Sequence, residues 1–277
     1  MEKLARSLSL HDTEVRCGPP GPHLFLLPSW YNIPMGSLDP LQFSIAFVGG
    51  LIPALFWVWF WLKEDRLRPE PLWLIIITFV AGMAVVPVAL PLQKLACDVY
   101  QAGVCQPAGD NLIIIWVILE ELLKYAAALV VVFWHRAVDE PIDLIIYMII
   151  IALGFASLEN TLFIFNLLDN GQWSSSVLTG NFRFIGATLL HVLASATVGV
   201  FLAFSYYKSA VKKVWYGMVG LFIAIVLHGI FNFFIMKGNG GETILGVFLF
   251  VWIGIIILFL IFEKVKILEV KHRLRRK

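Results

Sequence analysis

Long apolar runs broken by short polar stretches set the pattern of this chain. Runs of membrane length lie at about 43–62, 72–92, 111–134, 142–167, 182–207, 214–236 and 244–262. A helix rises about 1.5 Å per residue, so about 20 apolar residues cross the hydrocarbon of a bilayer. The pattern predicts an all-α fold, a polytopic transmembrane helix bundle of about seven spans. Pro87 and Pro91 fall inside the second run and predict a kink there. The prolines of KEDRLRPEP (63–71) end one helix and precede the next. Residues 168–181 are polar and rich in Gly and Ser, and read as a loop. Ahead of the first run, HLFLLPSWY (23–31) is too short to span and is expected at the interface. Three regions follow: 1–42, an extramembrane N-terminal arm; 43–262, a membrane-embedded domain; and 263–277, a basic cytoplasmic tail. The arm has no apolar stretch followed by a small-residue cleavage site, so a signal peptide is not expected.

Composition strengthens this reading. The chain is 60% hydrophobic and 14% charged, against about 25% charged in soluble domains. A net charge of +2 is too small for a nucleic-acid footprint, so no nucleic-acid partner is expected. The distribution of charge is more informative. The loops at 63–71, 135–141 and 208–213 and the tail carry 14 of the 21 lysines and arginines. The positive-inside rule then puts the C-terminus in the cytoplasm and the N-terminus outside the cell membrane. Cys97 and Cys105 both fall on the outer side, where a disulfide can persist, and no CxxC pair occurs among the three cysteines.

The third run, NLIIIWVILEELLKYAAALVVVFW, holds Glu120, Glu121 and Lys124 at its middle. Ionisable groups at that depth cost about 2.5–3.5 kcal/mol each and mark functional sites by default. Other runs carry polar groups at matching depth: Glu159 late in the fourth, His191 early in the fifth, His228 and Asn232 late in the sixth. On the expected topology these four and the two glutamates Glu120 and Glu121 lie from the middle to the outer half of the bilayer. Helical spacing assigns faces. Glu120 and Lys124 are i,i+4 and can pair, with Glu121 about a quarter-turn away. Arg183, Ala187, His191, Ser195 and Gly199 form one line, and His228 and Asn232 another. Asp143 and Tyr147, near the cytoplasmic end of the fourth run, read as structural. Arg183 reads as an interfacial snorkel or a carboxylate partner. Ser195 shares a helix with His191 and lacks an elbow motif, which argues against a serine nucleophile.

Two glutamates, two histidines and an amide around a membrane cavity suit hydrolysis by an activated water. A glutamate in such a low-dielectric site can serve as the general base, and His228 and Asn232 as oxyanion donors. Alternatively, the same histidine nitrogens and carboxylate oxygens suit a zinc ion. The pattern HExxH is absent, which sets the chain apart from ordinary zinc proteases.

At this point the residues resemble a family. EELLK (120–124), GFASLEN (154–160), His191 with Ser195 and Gly199 after Arg183, and HGIFN (228–232) resemble the four motifs of the PrsW family of intramembrane proteases. DRLRPEP (65–71) is similar to the loop that precedes the family's second span. The resemblance covers roughly residues 45–236. The wider superfamily holds the CAAX prenyl proteases and the Abi proteins. The resemblance implies an endopeptidase acting on membrane-anchored regulatory proteins such as anti-sigma factors. It implies Glu120 as base, Glu121 as its partner, Glu159 and His191 supporting the water or binding a metal such as zinc, and His228 and Asn232 holding the oxyanion or, for His228, binding that metal. The long arm and the seventh span depart from the simplest family pattern. The runner-up is a CAAX-type prenyl endopeptidase or Abi-like protein, with a site facing the cytoplasm. An ion or proton transporter is the rival of another class. It predicts paired broken helices or an inverted repeat, and the sequence offers neither.

Overall fold

The computed structural model describes residues 39–64, 69–102, 109–237 and 241–276, with side chains throughout except at 64, 237, 241, 179 and 268–276. The segment 23–31, Cys17, Cys105 and most of the arm lie outside the described residues. Among the described residues every regular element is a helix. In chain order these are α1 (Pro40–Glu64), α2 (Leu72–Gln101), α3 (Asp110–Val131), α4 (Pro141–Asp169), α5 (Trp173–Phe182), a π-helical turn (Arg183–Ala187), α6 (Thr188–Ser205), α7 (Ala210–Lys237) and α8 (Gly241–Arg276).

Among the described residues, six apolar stretches are long enough to cross a membrane: Pro40–Lys63, Leu72–Gln101, Pro141–Asp169, Trp173–Ser205, Ala210–Met236 and Glu242–Ile267. Helix α3 has 22 residues and also suffices in length. Its three central ionisable groups set it apart in composition. The expected all-α bundle of about seven long helices is therefore what the chain forms.

Several boundaries move. Helix α2 runs past Pro87 and Pro91 to Gln101, so it outlasts the expected run at 72–92 by about two and a half turns. Helix α8 continues to Arg276, well beyond the expected end of its run. The stretch read as the loop 168–181 is mostly α5. Gly171, at φ +72°, turns the chain after α4, a conformation that only glycine adopts without strain. Ser176 and Asn181 then donate to the carbonyls four residues earlier, 2.8 and 2.9 Å away. Polar residues that signal a loop here satisfy themselves within a helix.

Helix α4 is the axis of the bundle. Its apolar window is 94% enclosed, against 28% for α7 and for α8. It packs against α1, α2, α3, α6 and α8. Its start is fixed by Pro141 at the first helical position and by Glu140 N–H donating to Asp143 Oδ2 at 2.7 Å. Backbone meets backbone along α4. A methyl group on Gly154 would run into the carbonyl oxygen of Phe79 on α2, and one on Gly82 into that of Ile151. On α6, Gly199 lies against the backbone of Leu144 and Ile145. Small-residue contacts of this kind bring helices close enough for side chains from four of them to meet.

Candidate active site

The polar faces of α3, α4, α6 and α7 meet in one buried cluster. Helix α3 supplies Glu120, Glu121 and Lys124, all at most 4% exposed. Lys124 Nζ donates to Glu121 Oε1 at 2.5 Å and to His191 Nδ1 at 3.0 Å. The expected Glu120–Lys124 pairing gives way to Glu121, because on a helix the i,i+3 and i,i+4 neighbours are both within reach. Lys124 also lies 4.5 Å above the ring of Phe155 on α4.

With Lys124 as an ammonium, the hydrogen-bond partners assign a tautomer to each imidazole. An ammonium has no lone pair, so His191 Nδ1 accepts from Lys124, and Nε2 donates to Glu159 Oε2 at 3.1 Å. His228 Nδ1 donates to Glu121 Oε1 at 2.7 Å. His228 Nε2 then accepts from Asn232 Nδ2 at 3.2 Å and faces Glu120 Oε2 at 3.7 Å. The two rings stand edge to face with centroids 4.9 Å apart.

Glu120 is held differently from Glu121. Gln93 Nε2, from α2, donates to Glu120 Oε1 at 2.9 Å. Trp116 Nε1 ties Gln93 in turn, donating to its carbonyl oxygen at 3.0 Å. Glu120 Oε2 is buried without a hydrogen-bond partner, as is Glu121 Oε2. An orphaned carboxylate oxygen in a buried site is costly unless a ligand, water or ion meets it.

Glu159 and Arg183 complete the arrangement. Arg183 Nη2 donates to Glu159 Oε2, and Arg183 Nε to Asn160 Oδ1 at 2.5 Å. Asn160 Nδ2 passes on to Thr188 Oγ1 at 3.0 Å. Arg183 is buried, not snorkelled to the interface. A cavity of about 30 Å³ opens between Glu159, Arg183, His191, His228, Asn232 and Met236, room for one or two waters. Three carboxylates against two cations give the cluster a formal charge of −1 with neutral imidazoles.

Among the described residues, one group has metal-ligand geometry: Glu120, His191 and His228, with a donor atom from each within 4.8 Å of the others. Glu159 stands outside that group and engages Arg183 and His191 instead. The donor types and the orphaned Glu120 oxygen fit a zinc-like ion. In this arrangement Lys124 occupies the His191 lone pair.

The structure thus brings together Glu120, Glu121, Glu159, His191, His228 and Asn232. Asp143 and Tyr147 lie at the other end of α4, and Ser195 is a buried hydroxyl one turn beyond His191. Of the two readings of Arg183, the carboxylate partner is the one the structure shows, with Glu159, whereas Gln93 has no place in the sequence reading. The signal for Gln93 was an amide in an otherwise apolar stretch, and it was read as the start of a loop.

Comparison with known proteins identifies a family. A sequence model described as PrsW family intramembrane metalloprotease matches residues 70–261. The chain is similar to Protease PrsW of Geobacillus kaustophilus, 27% identical, with 72% of this chain and 84% of the relative covered. It is similar to Protease PrsW of Oceanobacillus iheyensis, at 28% identity with 71% and 85% covered. Protease PrsW of Bacillus subtilis is 24% identical, with 66% and 79% covered. No solved structure gives a significant match. With a helical membrane bundle and a family match across most of its spans, the chain belongs to the PrsW family of intramembrane metalloproteases and is a membrane protease.

Proposed function

We propose that the protein is an intramembrane endopeptidase that cleaves membrane-anchored regulatory proteins of the anti-sigma-factor kind, using the cluster on α3, α4, α6 and α7. One observation carries this reading. Glu120 Oε2 is buried without a hydrogen-bond partner and faces His228 Nε2 at 3.7 Å, with donor atoms of Glu120, His191 and His228 all within 4.8 Å of one another.

Glu120 takes a proton from water while the water oxygen adds to the scissile carbonyl carbon. Gln93 holds its other oxygen and so fixes the direction of the free one. Glu121 is held by Lys124 and His228 and is the partner, not the base. Asn232 and His228 face the developing oxyanion, and Glu159 orients His191. The proton on Glu120 passes to the leaving nitrogen as the C–N bond breaks, which leaves a carboxylic acid and an amine. Glu120, His191 and His228 are the residues that would hold a zinc ion. When bound, such an ion supplies a water of lowered pKa.

The membrane domain spans 43–262 in this reading, with the arm 1–42 outside and the tail 263–277 in the cytoplasm. The disulfide bonding of Cys97, near the end of α2, supports an outer location for that end. The test is cleavage of a single-span substrate by the purified protein in liposomes. Unchanged cleavage by Glu120→Gln and His228→Ala sinks the proposal. Loss on chelation, restored by zinc, supports the metal set, and indifference to chelation supports Glu120 acting alone. Labelling of a cysteine placed beside His228 from the outer side only excludes the cytoplasmic, prenyl-protease arrangement.

A further inference from the structure

Arg183 is set up for more than neutralising Glu159. It opens the π-helical turn Arg183–Ala187, in which Thr188 N–H reaches back five residues to the Arg183 carbonyl. Such turns are rare and recur at functional sites. The guanidinium is clamped on two sides and one face. Nε meets Asn160, Nη2 meets Glu159, and the plane lies 3.7 Å from the Phe163 ring centroid. These contacts leave Nη1 without a partner among the described residues, yet it is not among the buried atoms sealed from all space. The residue is only 5% exposed. It lines the small cavity shared by His191, His228 and Asn232. A cation that cannot lose its charge therefore presents unused donors to the space where the reacting atoms would sit.

We propose that Arg183 is a further catalytic residue, its Nη1 donating to the scissile carbonyl oxygen as that oxygen becomes an oxyanion. The inference rests on the hydrolytic reading above. As water adds, the carbonyl π pair moves onto oxygen, where Arg183 and Asn232 meet it. When the pair returns, the amine leaves with the proton held by Glu120. No reactant beyond water and the peptide is required. A rigid, pre-charged donor costs no reorganisation at that moment, which is the condition for strong oxyanion stabilisation. Glu159 and Asn160 then act as the jig that holds the fork, and the π turn aims it.

The test is a double-mutant cycle in liposomes with a single-span substrate, using wild type, R183Q, E159Q and the double variant, with thermal unfolding as a control. R183Q is expected to lower kcat about 100-fold with KM within about threefold of wild type. A smaller but still measurable further loss is expected on top of E159Q, because E159Q loosens the fork while Asn160 still holds it and the contact to substrate persists. R183K, which keeps the charge but loses the fork, is expected to recover part of kcat. Where R183Q does not fold, R183K alone against wild type carries the test, with a kcat loss at unchanged unfolding midpoint expected. If R183Q costs nothing beyond E159Q, or the R183K loss falls entirely on KM, Arg183 is only an anchor for Glu159 and the proposal is overturned. Absence of cleavage by wild type instead removes the hydrolytic reading itself, and this proposal with it.

Discussion

Helix α4 carries a buried polar cluster at each end, and the two are built to different rules. At its start, Tyr147 donates to Glu70 Oε2, Asp143 hydrogen-bonds to Glu70, and Asp143 accepts from the Glu140 N–H. About 18 Å further along the helix axis lies the Glu159 cluster. Seven buried side-chain atoms among the described residues lack a hydrogen-bond partner. Two are on Glu120 and Glu121, and none is in the Glu70 cluster. The first cluster is closed, and the second has lone pairs left over. A closed polar cluster specifies how helices pack, whereas one with unused donors and acceptors is incomplete until something enters it.

The comparison can be broken most severely at Glu120. Glu120→Gln keeps the Gln93 contact within reach and removes the free carboxylate oxygen. Cleavage in liposomes should fall about 1,000-fold while the unfolding midpoint holds. An equally large fall in stability would place Glu120 with the closed cluster. Gln93→Leu should be milder. It releases the carboxylate without removing it, so a loss of about 10–100-fold is expected, on the scale of residues that orient a site's ligands. Activity equal to wild type would show that Glu120 needs no orienting donor.

Tyr147→Phe should have the opposite signature. It strips the hydroxyl from a buried carboxyl at a cost of about 1–3 kcal/mol, measured by denaturation, with turnover per folded molecule unchanged. The smallest effect is on pH. Burial pushes Glu70 above its ordinary value of 4.5. Protonated in the fold to higher pH than in the unfolded chain, Glu70 contributes stability that is full below pH 4.5 and fades as pH rises through its folded value. Wild type should therefore lose stability relative to Glu70→Gln as pH rises. A difference independent of pH would show that Glu70 titrates alike in both states.

The two clusters were not equally legible in the sequence. Glu120, Glu121, Glu159, His191, His228 and Asn232 stood out because each is polar within an apolar run, and i,i+4 spacing alone aimed them. Asp143 and Tyr147 were read as structural from their position near a helix end, but Glu70, in a loop, gave no sign of reaching them. Lys124 chose Glu121 over Glu120, and periodicity permits either. Arg183 reads equally as an interfacial snorkel or a carboxylate partner, because its burial depends on Glu159 and Asn160, some two dozen residues earlier, and on a π turn that no periodicity announces. Gln93 was hidden by a misplaced helix end. What sequence lacked throughout was the partner, not the group.

The glycine contacts of α4 bear on how this protein fails. Gly82, Gly154 and Gly199 touch none of the site's carboxylates or histidines, yet none has room for a single methyl group. A screen for inactive alleles should therefore return alanine at these three positions alongside changes at Glu120. The two kinds of mutant would separate by abundance: the glycine alleles would deplete the protein from the membrane, and the glutamate allele would leave it present and silent.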